Sequence, residues 1–106
     1  MLFACHLEAR LPEANLSRAY RVMVLRDLFG LYTVEVTFGR IGRPGSTRRY
    51  TVATLDAARS KLKEVLKRRL TAPKRIAVAY VCRGAFDPQD WMVQDSLGFT
   101  SLLAKE

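Results

Sequence analysis

The stretch Phe38-Gly39-Arg40-Ile41-Gly42-Arg43-Pro44-Gly45, followed closely by Arg48 and Arg49, holds the residue types in this sequence best suited to chemistry. The arginine guanidinium is a planar fork whose N–H groups grip phosphate oxygens in pairs. Gly39, Gly42 and Gly45 allow backbone N–H groups to approach an anion closely, since no Cβ intervenes. Together they describe a phosphate grip with Arg40 as its leading residue, although Gly42 or Gly45 would serve a tight turn equally well. Contacts of this sort position a protein on a sugar-phosphate backbone without reading sequence. A nucleotide-binding P-loop is not present, because Gly-Lys-Ser/Thr is missing, and the glycine spacing misses the dinucleotide fingerprint.

Catalytic chemistry finds little material. His6 stands alone and reads as a strand residue, and Ser46, Ser60 and Cys82 have no base partner in the sequence. Asp87, Asp90 and Asp95 are spaced like an acidic helix face, solvated or paired with basic neighbours. One histidine and two cysteines are too few for the usual four-ligand metal site. No enzyme activity, metal or cofactor is therefore expected. Cys5 and Cys82 lie in apolar surroundings and read as buried free thiols of a cytoplasmic protein. Neither an export signal nor an apolar run of roughly 20 residues, the length that spans a bilayer, is evident.

The formal net charge is +8, and it is regional. Between Arg40 and Arg75 stand twelve Lys or Arg against two acids, Asp56 and Glu64; the rest of the chain carries a slight acidic excess. A concentrated positive surface draws polyanions by steering and counterion release. A solvated helix face could account for one basic helix, but here a loop, a strand and a helix share the bias.

The elements that must hold these residues follow from periodicity. Residues 19–27 are rich in β-formers and read as a strand, with a turn from Asp27 to Gly30. Strict alternation from Leu31 to Phe38 puts Tyr32, Val34, Val36 and Phe38 on one face, completing a hairpin. Thr47 to Ala53 resumes as a strand. Thr54 suits an N-cap, and a helix follows from Leu55 to about Leu70 with Leu55, Ala58, Leu62, Val65 and Leu66 as its apolar stripe. Lys61, Lys63, Lys67 and Arg68 fall away from that stripe. Ile76 to Cys82, apolar on both faces, reads as a central strand, and Leu2 to Glu8 as a further edge strand. Asp87-Pro88 should open a short helix through about Leu97, stopped by Gly98. The expectation is one α+β domain over 1–106, its core about 19–83, with 84–106 as a C-terminal extension. Its twisted antiparallel sheet has four to five strands, one main amphipathic helix packed on it and a short C-terminal helix.

The order hairpin, Gly39-Arg40-Ile41-Gly42 loop, Arg48-Arg49-Tyr50 strand and helix resembles the WGR domain family, in its standalone bacterial form, over about two thirds of the chain. The resemblance implies DNA binding near strand ends, as in poly(ADP-ribose) polymerases, where the domain relays contact to a catalytic domain. Phe38 stands where the family has its Trp, so no Trp-specific contact carries over. Its parity with Val34 and Val36 favours a place in the core.

The expected function is a DNA- or RNA-binding module that contacts phosphates through Arg40, Arg43, Arg48, Arg49, Gly39, Gly42, Lys63 and Lys67. The other reading is a protein-interaction or dimerisation module using Phe86, Trp91 and Phe99. A small-ligand site beneath the glycine loop would show instead as a deep cleft lined by aromatics. No membrane partner is expected.

Overall fold

The computed structural model describes residues 1–76, 78–95, 97 and 100–101. Five antiparallel strands form a sheet: β1 (Phe3–Leu11), β2 (Leu16–Arg26), β3 (Tyr32–Arg40), β4 (Ser46–Val52) and β5 (Val81–Phe86). A two-residue strand, β6 (Thr100–Ser101), adds in parallel beside β5, giving the order β4-β3-β2-β1-β5-β6. The main helix α1 (Leu55–Leu70) packs on one face, and two single helical turns follow, α2 (Pro73–Ile76) and α3 (Trp91–Gln94). The architecture is α+β.

Alternation builds the covered face. Phe3, Cys5, Leu7 and Ala9 of β1, Tyr20, Val22 and Val24 of β2, and Val34 and Val36 of β3 are buried on the helix-bearing face, where Trp91 stacks on Phe3. The helix contributes Ala58, Leu62 and Leu66. Thr54 caps it as expected, its Oγ1 accepting from the Ala57 N–H at 3.1 Å. Leu55, at the helix start, is more exposed than its place on the stripe suggested.

Three expectations require correction. β1 is interior, paired on both sides by β2 and β5, so the buried core starts at Phe3 rather than near residue 19. The apolar run Ile76 to Cys82 is not a central strand. Pro73 opens a helical turn that ends at Ile76, and β5 begins only at Val81. Ile76 and Val78 pack against the core without joining a ladder, so apolarity on both faces reports packing here and not strand position. The C-terminal helix is a single turn. The N-cap is Asp90, which makes no side-chain cap bond. The Asp87 carboxylate reaches in from three residues earlier and accepts from the Trp91 and Met92 N–H groups at 2.9 and 3.0 Å, and Pro88 precedes the helix instead of opening it. Gly98, the expected stop, lies outside the described residues.

Candidate nucleic-acid interface

The hairpin register decides what surrounds the glycine-arginine loop. β2 and β3 pair Arg26 with Tyr32, and the same register carried up the ladder sets Tyr20 opposite Phe38 and Arg18 opposite Arg40. All four of the latter point to the helix-bearing face at the end of the sheet remote from the β2–β3 turn. α1 runs toward that end and delivers Arg68 and Arg69 there with its last turn. Arginines from three elements therefore meet at one end.

Two troughs, open to solvent rather than enclosed, are cut into this end. The first, about 510 Å³, is walled by Asn15, Arg18, Arg40 and Arg69 with Tyr20 and Tyr80 on its floor. The second, about 400 Å³, lies between β4 and α1, where Arg48, Tyr50, Lys61 and Arg68 face one another. Tyr20, Phe38 and Arg69 border both. Phe38 packs against the core and also edges each trough, so it is neither wholly core nor free ligand platform.

The cations here are held without being neutralised. Arg40 Nη2 donates to the Asn15 Oδ1 at 3.1 Å and Nη1 to its carbonyl oxygen at 3.4 Å, both uncharged acceptors. Asn15 sits in the left-handed region (φ 52°), which turns its side chain toward Arg40. The Arg69 guanidinium lies 4.0 Å over the Tyr20 ring, and its Nε is buried with no partner among the described residues. Burial pushes the Tyr20 phenol up in pKa, and the adjacent Arg69 opposes that shift. Arg48 lies 5.8 Å over Phe38. Among the described residues Arg18, Arg40, Arg43, Arg48, Arg68 and Arg69 form no ion pair with a carboxylate. Lys61 is different, split between the Tyr50 ring at 4.1 Å and Glu64 at 3.1 Å.

The residues singled out from the sequence divide three ways. Arg40 and Arg48 line the troughs, and Arg43 is exposed in the turn beside them. Arg49 does not join them. It alternates to the opposite face of β4 and is bound to Glu35, directly across the ladder, at 3.0 Å. Lys63 and Lys67 lie on the other flank of α1, in line with Arg59, which binds Asp95 through both oxygens at 2.8 and 2.9 Å. Lys63 helps to hold the Asp95 carboxyl below its ordinary pKa, after Arg59 as the main cause. The glycines serve the backbone: a Cβ on Gly39 would stand 2.8 Å from Gly45 Cα, one on Gly45 only 2.5 Å from the Phe38 carbonyl oxygen. Gly42, at φ 82° and surrounded by open space, completes the turn.

Arg18, Arg69, Asn15 and the two tyrosines were not singled out from the sequence. Arg18 was legible in principle, since a hairpin register counted back from the Asp27–Gly30 turn sets it against Arg40. Arg69 falls three and seven residues after Leu66 and Leu62, on the sheet-facing side of a 3.6-residue period. Tyr80 and Asn15 arrive through tertiary contact alone.

The remaining reactive groups lie away from this end. His6 is on the uncovered face, hydrogen-bonded to Glu8 at 3.0 Å, which with Arg83 holds the Glu8 carboxyl below its ordinary pKa. Cys5 and Cys82 are buried and free; burial, with the neighbouring Cys82, pushes the Cys5 thiol up to about 12. Among the described residues no group of three or more His, Cys, Asp or Glu gathers as metal ligands would, and no helix is long and apolar enough to cross a membrane. The aromatic surface expected near the C-terminus loses its centre, because Trp91 is 2% exposed and stacked on Phe3 at 6.2 Å. Phe86 remains half exposed, and Phe99 lies outside the described residues.

A family model, described as WGR domain, matches residues 3–72. No curated protein matches the chain.

Proposed function

Since the chain belongs to the WGR domain family, whose members include nucleic-acid-binding modules of poly(ADP-ribose) polymerase-related proteins, we propose that it binds DNA or RNA along the sugar-phosphate backbone. The observation that carries this reading is the meeting of Arg18, Arg40, Arg48, Arg68 and Arg69 around two aromatic-floored troughs, none of them paired with a carboxylate among the described residues. Unneutralised guanidinium forks on a fixed frame match phosphate oxygens and displace condensed counterions. Phe38, half-buried at the edge of both troughs, offers ring surface against which an unpaired base or sugar at a strand end can rest, while Tyr20 and Tyr80 are buried beneath it. Contacts to sugar and phosphate position a protein on the backbone without reading bases, so the binding proposed is indifferent to sequence. The role is binding without a chemical step, and the burial of both thiols, which raises their pKa, supports that reading.

The test is an anisotropy titration against nicked, blunt-ended and single-stranded oligonucleotides at two salt concentrations. Affinity should fall steeply with salt. Arg18→Ala with Arg40→Ala should weaken binding of every oligonucleotide and reduce the salt slope by roughly one unit for each phosphate no longer gripped. Arg49→Ala should leave affinity unchanged, because its charge is spent on Glu35 on the far face. Undetectable binding at low salt, or a double variant that binds like the parent protein, overturns the reading.

A further inference from the structure

The opposite end of the molecule has the reverse character. Its tip is the β2–β3 turn, where Asp27 Oδ1 accepts from the N–H groups of Phe29 and Leu31 at 2.8 and 2.9 Å, and Gly30 takes φ 80°. The Asp27 N–H donates to the Leu31 carbonyl oxygen at 2.9 Å and closes the loop. This fixed turn holds Leu28 fully exposed and Phe29 89% exposed. A turn whose backbone is already fixed has less ordering entropy to lose when its exposed apolar side chains are buried, which is the property of a docking anchor.

Around this end stand all of the chain's aspartates. Asp27 is in the turn, Asp56 is in the first turn of α1, and Asp87, Asp90 and Asp95 surround α3, which stacks on Phe3 at the same end of the sheet. Arg59 offsets Asp95 and Arg26 stands beside the turn, so the acidic excess of this rim comes from Asp27, Asp56, Asp87 and Asp90; it disfavours polyanions and anionic membrane surfaces. What it complements is a positive surface with an apolar edge, and the protein itself carries one: the first trough, with Arg18, Arg40 and Arg69 beside the half-buried Phe38.

We propose that the Leu28–Phe29 tip of one copy docks into the arginine-rimmed trough of a second copy, head to tail. Phe29 enters the trough beside the half-buried Phe38, and Asp27 faces the arginine wall. Such a contact is heterologous, so each added copy leaves one tip and one trough open, and assemblies grow as chains or close into rings. It uses the cations assigned above to phosphate, and nucleic acid therefore competes with self-association. The self-contact stands on the geometry alone; only the competition rests on the proposed function.

Sedimentation velocity at low salt over a rising concentration series tests it. The weight-average sedimentation coefficient should climb with concentration and fall back as salt is added. Leu28→Ser with Phe29→Ser, at exposed positions that leave the fold intact, should stay monomeric, and so should Arg18→Glu with Arg40→Glu. Phe29→Ser alone should weaken association by about 30-fold, the usual loss on removing an aromatic anchor. Mixed one to one, the tip variant and the trough variant should form a discrete heterodimer, because one working tip and one working trough remain. A parent protein that stays monomeric throughout, variants that still assemble, or a mixture that stays monomeric each overturn the proposal. If the heterodimer forms but oligonucleotide fails to dissolve the parent assembly, the head-to-tail contact holds and the nucleic-acid reading fails.

Discussion

Arg40 and Arg49 show how neighbouring chemistry, and not residue type, sets the worth of a cation. Arg40 is fixed by the neutral Asn15 and keeps its whole field for a ligand, whereas Arg49 shares its charge with Glu35 across the ladder. Strict alternation already separates Arg48 from Arg49, so that difference was readable; the presence of Glu35 at the paired position needed the β3–β4 register. The glycines of the loop give a test at this scale. Gly45→Ala combines φ 73° with a Cβ clash on the Phe38 carbonyl and should cost about 2–4 kcal/mol, while Gly42→Ala, strained only in φ, should cost about 1 kcal/mol. Urea denaturation of both variants checks the ranking, which would reverse if Gly42 had the tighter surroundings. Cys5 gives a second. Its folded thiol holds its proton to about 12, while the unfolded chain releases it near the ordinary 9.0. The unfolded state thus binds fewer protons in that window, and stability falls as pH rises from about 9 toward 12. Cys5→Ala should flatten that decline in denaturation curves taken between about pH 8 and 10.5.

Elements with their own local logic formed as the chain dictates. α1 has a threonine cap, an acid in its first turn, basic residues in its last and an apolar stripe of period 3.6, and it spans Leu55–Leu70 as read from the sequence. The hairpin was equally plain, because alternation and the Asp27–Gly30 turn agree. The segments after α1 were not, since a seven-residue apolar run suits a buried strand or a packed connector equally. Pro73 and the pairing of β5 with β1 decided it. The Asp87 carboxylate is the local device that closes the C-terminal segment over Phe3. Asp87→Ala should cost about 1–2 kcal/mol and loosen Trp91, seen as a red shift and easier quenching of its fluorescence. Arg59, stacked 5.9 Å over the same indole and bound to Asp95, should give a smaller shift when replaced by Ala.

At the scale of the whole molecule the sheet works as an axis with unlike ends. β1 and β2 at its centre carry the core, and the two ends differ in charge. Arginines without carboxylate partners among the described residues gather beside the β1–β2 and β3–β4 turns, whereas aspartates beside the β2–β3 turn and α3 outnumber Arg26 and Arg59 there. Nucleic acid should therefore engage one end only. Lysine or arginine footprinting with a bound oligonucleotide should protect Arg18, Arg40 and Arg68 and leave Arg26 and Arg59 labelled as in the free protein. Protection of all five equally would mean that the ends are not distinguished. Asp27→Asn with Asp56→Asn, remote from the troughs, should change oligonucleotide affinity less than about threefold at physiological salt, where the Debye length is about 8 Å.

Composition, period and turn chemistry determined the local matters by themselves: that a strand-rich basic domain exists, where the hairpin bends, where α1 starts and stops, and that Arg40 belongs to a surface loop. Those depend on neighbours within a few residues, which the sequence states directly. Only the tertiary structure decided that β1 is interior, that Arg69 stands beside Arg40, that Glu35 takes up the charge of Arg49, and that Lys63 and Lys67 look elsewhere. Each of these depends on which strand lies next to which and on the side of α1 that meets the sheet, and non-local pairing is fixed by the packing of the whole core.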